Sequence, residues 1–224
     1  MKILILGEKK RADEFRTRLD HEMIFDNSAL DHPEKFSSFD MITDLNADER
    51  NELPDYFSLP ESKLLILSAV KKSLSSMVDD LKPEVLCAVA GINALPTFIN
   101  RNKIEVSFFR EEDRDHFEKF ATEMKLDFLE VSDRTGMVTP RVICMIINEA
   151  CFTFQEGTAS KEDIDKAMKL GTNYPFGPFE WCDRIGIKDV YETLDAIWND
   201  THDPRYKICP LLKTKYLQRE SFYS

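Results

Sequence analysis

No stretch of this sequence stays apolar long enough to cross a bilayer. The longest runs, residues 64–67 and 142–147, fall far short of the roughly 20 residues a spanning helix needs. The first 20 residues carry six basic side chains and no apolar signal region, so secretion is not expected. Cys-x-x-Cys pairs are missing as well. The five cysteines (Cys87, Cys144, Cys151, Cys182 and Cys209) are odd in number, and four sit among apolar neighbours. This is the pattern of reduced thiols in a cytoplasm rather than of disulfides or a metal centre. His21, His32, His116 and His202 are scattered, with none at zinc-site spacing. Net positive charge is also lacking. At −11 the chain repels phosphate backbones, which argues against a nucleic-acid partner. Two locally basic stretches, 1–18 and 205–219, read as solvated faces.

What is present is an ordinary globular balance, 42% apolar and 32% charged over 224 residues, enough for one large domain or two modest ones. The first half alternates short apolar runs with amphipathic segments. Strands are expected at 2–6, 22–25, 40–45, 64–68, 85–90, 104–109 and 127–131. Leu74, Met77, Val78 and Leu81 share a helical face, as do Phe117, Phe120, Ala121 and Met124. Alternating strands and helices predict a largely parallel sheet covered by helices. After Val131 the helical period takes over. Residues 141–155 are apolar almost all round, which marks a central helix or a subunit interface, and Gly157 is placed to end it. Ser160 to Asp163 resembles a capping box, Ile164, Ala167 and Met168 form the next buried face, and Gly171 is expected to close that helix. Val190, Leu194, Ile197 and Trp198 mark a third helix, and Leu211, Leu212 and Tyr216 a last one. The domain boundary is expected near residue 131, giving an α/β domain at 1–131 and a helical domain at 132–224. No repeat or low-complexity segment interrupts either half.

A first strand, a glycine turn and a helix bind a dinucleotide when glycines let the pyrophosphate approach the main chain at the helix N-terminus. Here the first strand ends in Gly7, and Asp26 follows nineteen residues later, where a ribose-binding carboxylate belongs. The turn reads Gly7-Glu8-Lys9-Lys10-Arg11-Ala12. Lys9 takes the second glycine position and is expected to crowd the pyrophosphate, while Glu8 adds a negative charge. Two alternatives stand for Lys9, Lys10 and Arg11: an exposed charged first turn, or side chains that hold a phosphate.

Asn148-Glu149-Ala150, the run Glu156-Gly157-Thr158-Ala159-Ser160-Lys161-Glu162-Asp163-Ile164-Asp165 and Met168-Lys169-Leu170-Gly171 closely resemble the C-terminal domain of 3-hydroxyacyl-CoA dehydrogenases. Tyr174-Pro175-Phe176-Gly177-Pro178-Phe179-Glu180, Asp183, Ile185-Gly186, Asp203-Pro204-Arg205-Tyr206 and Pro210-Leu211-Leu212 continue the match. The resemblance implies a shortened Rossmann-like N-terminal domain followed by an all-α domain of the 6-phosphogluconate/3-hydroxyacyl-CoA dehydrogenase type. The first half resembles the family less closely. The family's extended helical pair, which contributes to acyl-CoA binding, is expected to be absent, since about fourteen residues separate Phe25 from Asp40.

In that family a histidine takes the hydroxyl proton of a 3-hydroxyacyl-CoA while hydride passes to NAD. A glutamate orients the histidine, and a serine and an asparagine position the substrate oxygen. The family's glycine, histidine and glutamate segment resembles Gly91-Ile92-Asn93 through Glu105, with Asn93 at the base position. The serine position falls on Lys72, with Ser73 adjacent, and the asparagine position on Pro140 before Arg141. The resemblance thus places Glu105, Asn93 and Ser73 at a catalytic site and Gly7, Lys9 and Asp26 at a cofactor site. It makes NAD the cofactor by family alone, and it points to no metal. The expectation is a family member linked to acyl-CoA and fatty acid metabolism, with lost or weak catalysis, acting as a dimeric binding or assembly module. The alternative is an active NAD-dependent oxidoreductase with a rearranged site, in which Lys72 or His116 serves as base. A third reading pairs the chain with a full-length homologue. The homodimer is expected to join through the helical half, because 142–147 is apolar throughout.

Overall fold

The computed structural model describes residues 1–224 except 18, 20, 57, 58, 80–84 and 224. Two compact units result, Met1–Met137 and Val138–Ser224. The break lies beyond the expected boundary near 131. Segment 132–137 stays with the first unit because the Asp133 carboxylate accepts from the Leu74 and Ser75 N–H groups at 2.7 and 2.8 Å. Gly136 N–H also donates to the Val70 carbonyl at 2.6 Å.

In the first unit seven strands form one sheet among the described residues: β1 (Ile3–Leu6), β2 (Met23–Phe25), β3 (Met41–Asp44), β4 (Leu64–Ser68), β5 (Ala88–Ile92), β6 (Lys103–Phe108) and β7 (Asp127–Glu130), in the order β2-β1-β3-β4-β5-β6-β7. The first five are parallel, β6 runs antiparallel to β5, and β7 is parallel to β6. Residues two apart share a face. Ile3, Ile5, Met41, Leu64, Ile66, Ala88 and Ala90 pack with helices α1 (Lys9–Arg16) and α3 (Glu111–Met124). Leu4, Leu6, Ile42, Leu65, Leu67 and Val89 pack on the other side with α2 (Leu74–Asp79) and with Phe36 and Tyr56. Burial on both faces explains why these strands read as unbroken apolar runs.

β5 begins and ends later than expected. Its register pairs Leu64 with Ala88 and Ser68 with Ile92, so Gly91 lies inside the strand rather than ending it. A Cβ on Gly91 would come within 3 Å of Ser107, Ala69 and Leu74, so glycine is required there by close packing. Of the α2 face, Leu81 lies outside the described residues. Between β2 and β3 only two short 3-10 helices occur, Asn27–Asp31 and Pro33–Ser38, with no extended arm.

The second unit is helical: α4 (Thr139–Gln155), α5 (Lys161–Thr172), α6 (Pro178–Ile185), α7 (Ile187–Thr201) and α8 (Pro210–Gln218). α4 is its centre and packs against the other four. Asn148 on α4 accepts from Cys209 N–H at 2.8 Å and donates to the Lys207 carbonyl at 3.0 Å, which fixes the approach to α8. Ser160 caps α5 by accepting from Asp163 N–H at 3.2 Å. α5 runs through Gly171 and ends instead at Asn173, whose φ of +56° supplies the left-handed cap. α6 begins where the buried Asp165 carboxylate accepts from the Phe179 and Glu180 N–H groups at 2.8 and 3.0 Å. Among the described residues no helix is long and apolar enough to cross a membrane.

A Cβ on Gly177 would lie 2.3 Å from the Asp165 side chain. Gly177→Ala should therefore unseat α6 and cost about 2 kcal/mol, the usual scale of overpacking. Thermal unfolding checks this, and an unchanged midpoint would contradict the seating of α6 on Asp165.

Candidate functional site

The chain passes from β1 to β2 on one side of the sheet and returns to β3 on the other. The carboxyl ends of β1 and β3 therefore flank the point where strand order reverses, the usual ligand crevice of an open α/β sheet. β1 delivers Gly7 there with a φ of +115°, a conformation that glycine adopts without strain. β3 delivers Asp44, Leu45 and Asn46.

Main-chain donors at this place are already used. Gly7 N–H donates to Asn27 Oδ1 at 2.7 Å, and Asn27 Nδ2 returns a bond to the Gly7 carbonyl at 2.9 Å. Glu8 N–H donates to Asn46 Oδ1 at 2.8 Å. The basic turn divides in an unexpected way. Lys9 extends into solvent and pairs with Asp13. Arg11, expected to be exposed or on a phosphate, is fully buried and donates to the Leu45 carbonyl at 2.7 Å and to Glu49 at 2.6 Å. Asp26 caps the following 3-10 helix, with Oδ1 accepting from Ser28 N–H at 2.9 Å. The Ser28 hydrogen bonds hold its carboxyl below the usual range, with help from Lys35 and His32.

A polar network continues behind Asn46. The buried Asp44 accepts from Arg50 Nε and Nη2 at 2.7 and 3.0 Å, from Tyr56 Oη at 2.9 Å and from Asn46 N–H at 3.1 Å. Burial opposes the Arg50 charge, but bonding to Asp44 outweighs it and the net direction is upward. Burial, then the Asp44 charge, pushes the Tyr56 hydroxyl up. Lys71 pairs with Glu49 at 3.0 Å, and Asp48 Oδ2 accepts from the Val70 and Lys71 N–H groups, each at 2.8 Å.

At the carboxyl end of β5, Asn93 N–H donates to the Glu105 carbonyl at 3.3 Å. The two residues are thus cross-strand neighbours, 3% and 8% exposed. Asn93 Oδ1 accepts from Leu95 N–H at 3.3 Å. Burial lowers the basicity of nearby Arg101, and the Glu105 charge works against that shift. Ser73 Oγ accepts from Ser76 N–H at 3.2 Å and so caps α2. Lys72 Nζ donates to the Arg50 carbonyl at 2.6 Å. His116 stands on α3 beside Val85, Leu86 and Arg110, at the opposite end of β5 from Asn93.

The model of the 3-hydroxyacyl-CoA dehydrogenase C-terminal domain matches residues 136–221. Over 96 residues, 43% of this chain and 20% of the relative, the chain is 38% identical to the 3-hydroxyadipyl-CoA dehydrogenase of Escherichia coli. It is 26% identical over 197 residues to the 3-hydroxybutyryl-CoA dehydrogenase of Clostridioides difficile, covering 85% of this chain and 70% of that one. Residues 136–221 thus belong to the 3-hydroxyacyl-CoA dehydrogenase C-terminal domain family. The fold agrees: Mycobacterium tuberculosis FadB2 superposes with a TM-score of 0.74 at 16% identity, covering 96% of this chain and 93% of that one.

Of the expected catalytic residues, the structure makes Asn93 and Glu105 cross-strand neighbours. It holds Lys72 and Ser73 in local structural bonds, and Pro140 lies in the second unit in the first turn of α4. The residues at Gly7 do not fit a pyrophosphate. A Cβ on Gly7 would come within 2.5 Å of Asn46 Oδ1, so the glycine is required by the protein's own amide. Asn27, Asn46 and the inward Arg11 were not anticipated from sequence. Their roles carry no sequence signal, because the contacts that define them form only once β1 and β3 are paired.

Asp44→Asn should lower stability by about 3 kcal/mol, because it leaves the half-buried Arg50 without its countercharge. Urea unfolding measures this, and a loss below about 1 kcal/mol would show the network to be dispensable.

Proposed function

We propose that this family member has lost or weakened the dehydrogenase reaction and acts as a dimeric binding or assembly module connected with acyl-CoA metabolism. The observation that carries the reading is Asn93 beside Glu105. Removing a hydroxyl proton as hydride leaves needs a group that gains and loses a proton near neutrality, and an amide does not. Glu105 retains a carboxylate with no imidazole to orient. Lys72 and His116 offer no replacement, since the first is bonded to the Arg50 carbonyl and the second lies at the far end of β5. The family makes NAD the expected cofactor, whereas Gly7 and Glu8 have their N–H groups engaged. Five buried free thiols suit a reducing cytoplasm.

The dimer reading rests on α4. Ile143, Cys144, Ile147 and Cys151 are buried in the unit, yet Val142 on the same helix is 50% exposed and Met145 and Ile146 are only partly covered. Beside Ile146 runs an apolar groove lined by Ala150, Ile164, Ala167 and Met168. A two-fold contact covers one such surface on each copy.

With acetoacetyl-CoA and NADH the protein should turn over at least about 100-fold more slowly than an enzyme with a working base. Consumption of NADH at an ordinary rate of about 10 per second would contradict the loss of catalysis. Asn93→His alone should remain slow, because the crevice is also filled. Restored turnover in that variant would place the whole defect at the base. Light scattering should give twice 26.0 kDa. Ile146→Asp should yield monomer or aggregate, and a 26.0 kDa species at every concentration of the unaltered protein would rule out the dimer.

A further inference from the structure

The crevice between β1 and β3 does more than fail to match a dinucleotide. Two side-chain amides make the bonds that phosphate oxygens make at such a turn: an oxygen on the Gly7 N–H, from Asn27, and an oxygen on the Glu8 N–H, from Asn46. They differ in their own support. Asn27 is exposed, and its two bonds to Gly7 are its contribution to the turn. Asn46 is 8% exposed, and its N–H is held by the fully buried Asp44, which also holds Arg50 and Tyr56. Arg11 is drawn beneath the turn onto the Leu45 carbonyl and Glu49, which ties the first turn of α1 to the end of β3.

We infer that Asn46 and Asn27 are built-in ligands that replace the pyrophosphate, so that the first unit completes its nucleotide crevice from its own chain and holds it closed without a dinucleotide. Asn46 is the fixed part, because moving it breaks the Asp44 network. Asn27 is the part that swings away at the cost of solvent-exposed bonds. This inference is separate from the loss of the base at Asn93, because it concerns binding rather than turnover.

The test reads binding and amide exchange. In the free protein the Gly7 and Glu8 amides should exchange slowly by NMR, and millimolar NADH should change neither their exchange nor its own fluorescence. In the Asn27→Ala/Asn46→Ala double variant both amides should exchange fast. NADH should then bind at least about tenfold more tightly than to the unaltered protein, the scale of one net hydrogen bond. Fast exchange in the free protein, micromolar NADH binding to it, or a folded double variant that binds NADH no better would each overturn the inference. Should the double variant fail to fold, Asn27→Ala alone decides. Loss of protection confined to Gly7 supports the inference, and unchanged protection overturns it. A slow but NADH-binding protein would refute the closed crevice while leaving the base argument intact.

Discussion

Gly7 and Asn46 approach each other across the ends of β1 and β3 more closely than any side chain at position 7 would allow. That approach sets the backbone of the turn, and the turn sets the start of α1. From there Arg11 points inward to Leu45 and Glu49. Glu49 also holds Lys71, while its neighbour Asp48 holds the main chain at Val70 and Lys71. The loop after β4 is thereby fixed from the crevice side. Lys72 and Ser73 end up bonded to main-chain groups of their own unit.

The second half of the site shows how scaffold and chemistry separate. The antiparallel pairing of β5 with β6 places position 93 beside position 105. An amide at 93 bonds to the following loop through Leu95, while Glu105 influences the charge of Arg101. The amide at 93 cannot exchange protons near neutrality.

Much of the fold was legible in the residues. Alternate burial of Ile3 and Leu4, or of Leu64 and Leu65, on opposite faces gives runs that read as central strands. Asn93 and Glu105, twelve residues apart, lie on neighbouring strand ends. Glycine misled at Gly171, which lies inside a helix that ends at Asn173. The charge run at 9–11 misled for a different reason. Consecutive helical residues point about 100° apart, so Lys9 reaches solvent and Arg11 the core, and composition does not tell them apart. Asn27 and Asn46 were illegible because their function is to meet Gly7 and Glu8, and those contacts exist only after the sheet has formed.

We infer that Asn27 and Asn46 fill the crevice between β1 and β3 in place of a dinucleotide. The most direct measurement is a crystal structure of the unaltered protein grown with millimolar NADH. The account predicts Asn46 Oδ1 still on the Glu8 N–H and Asn27 still on Gly7, with no dinucleotide over the turn. A pyrophosphate bound to the Gly7 and Glu8 N–H groups, with Asn46 displaced, would contradict it.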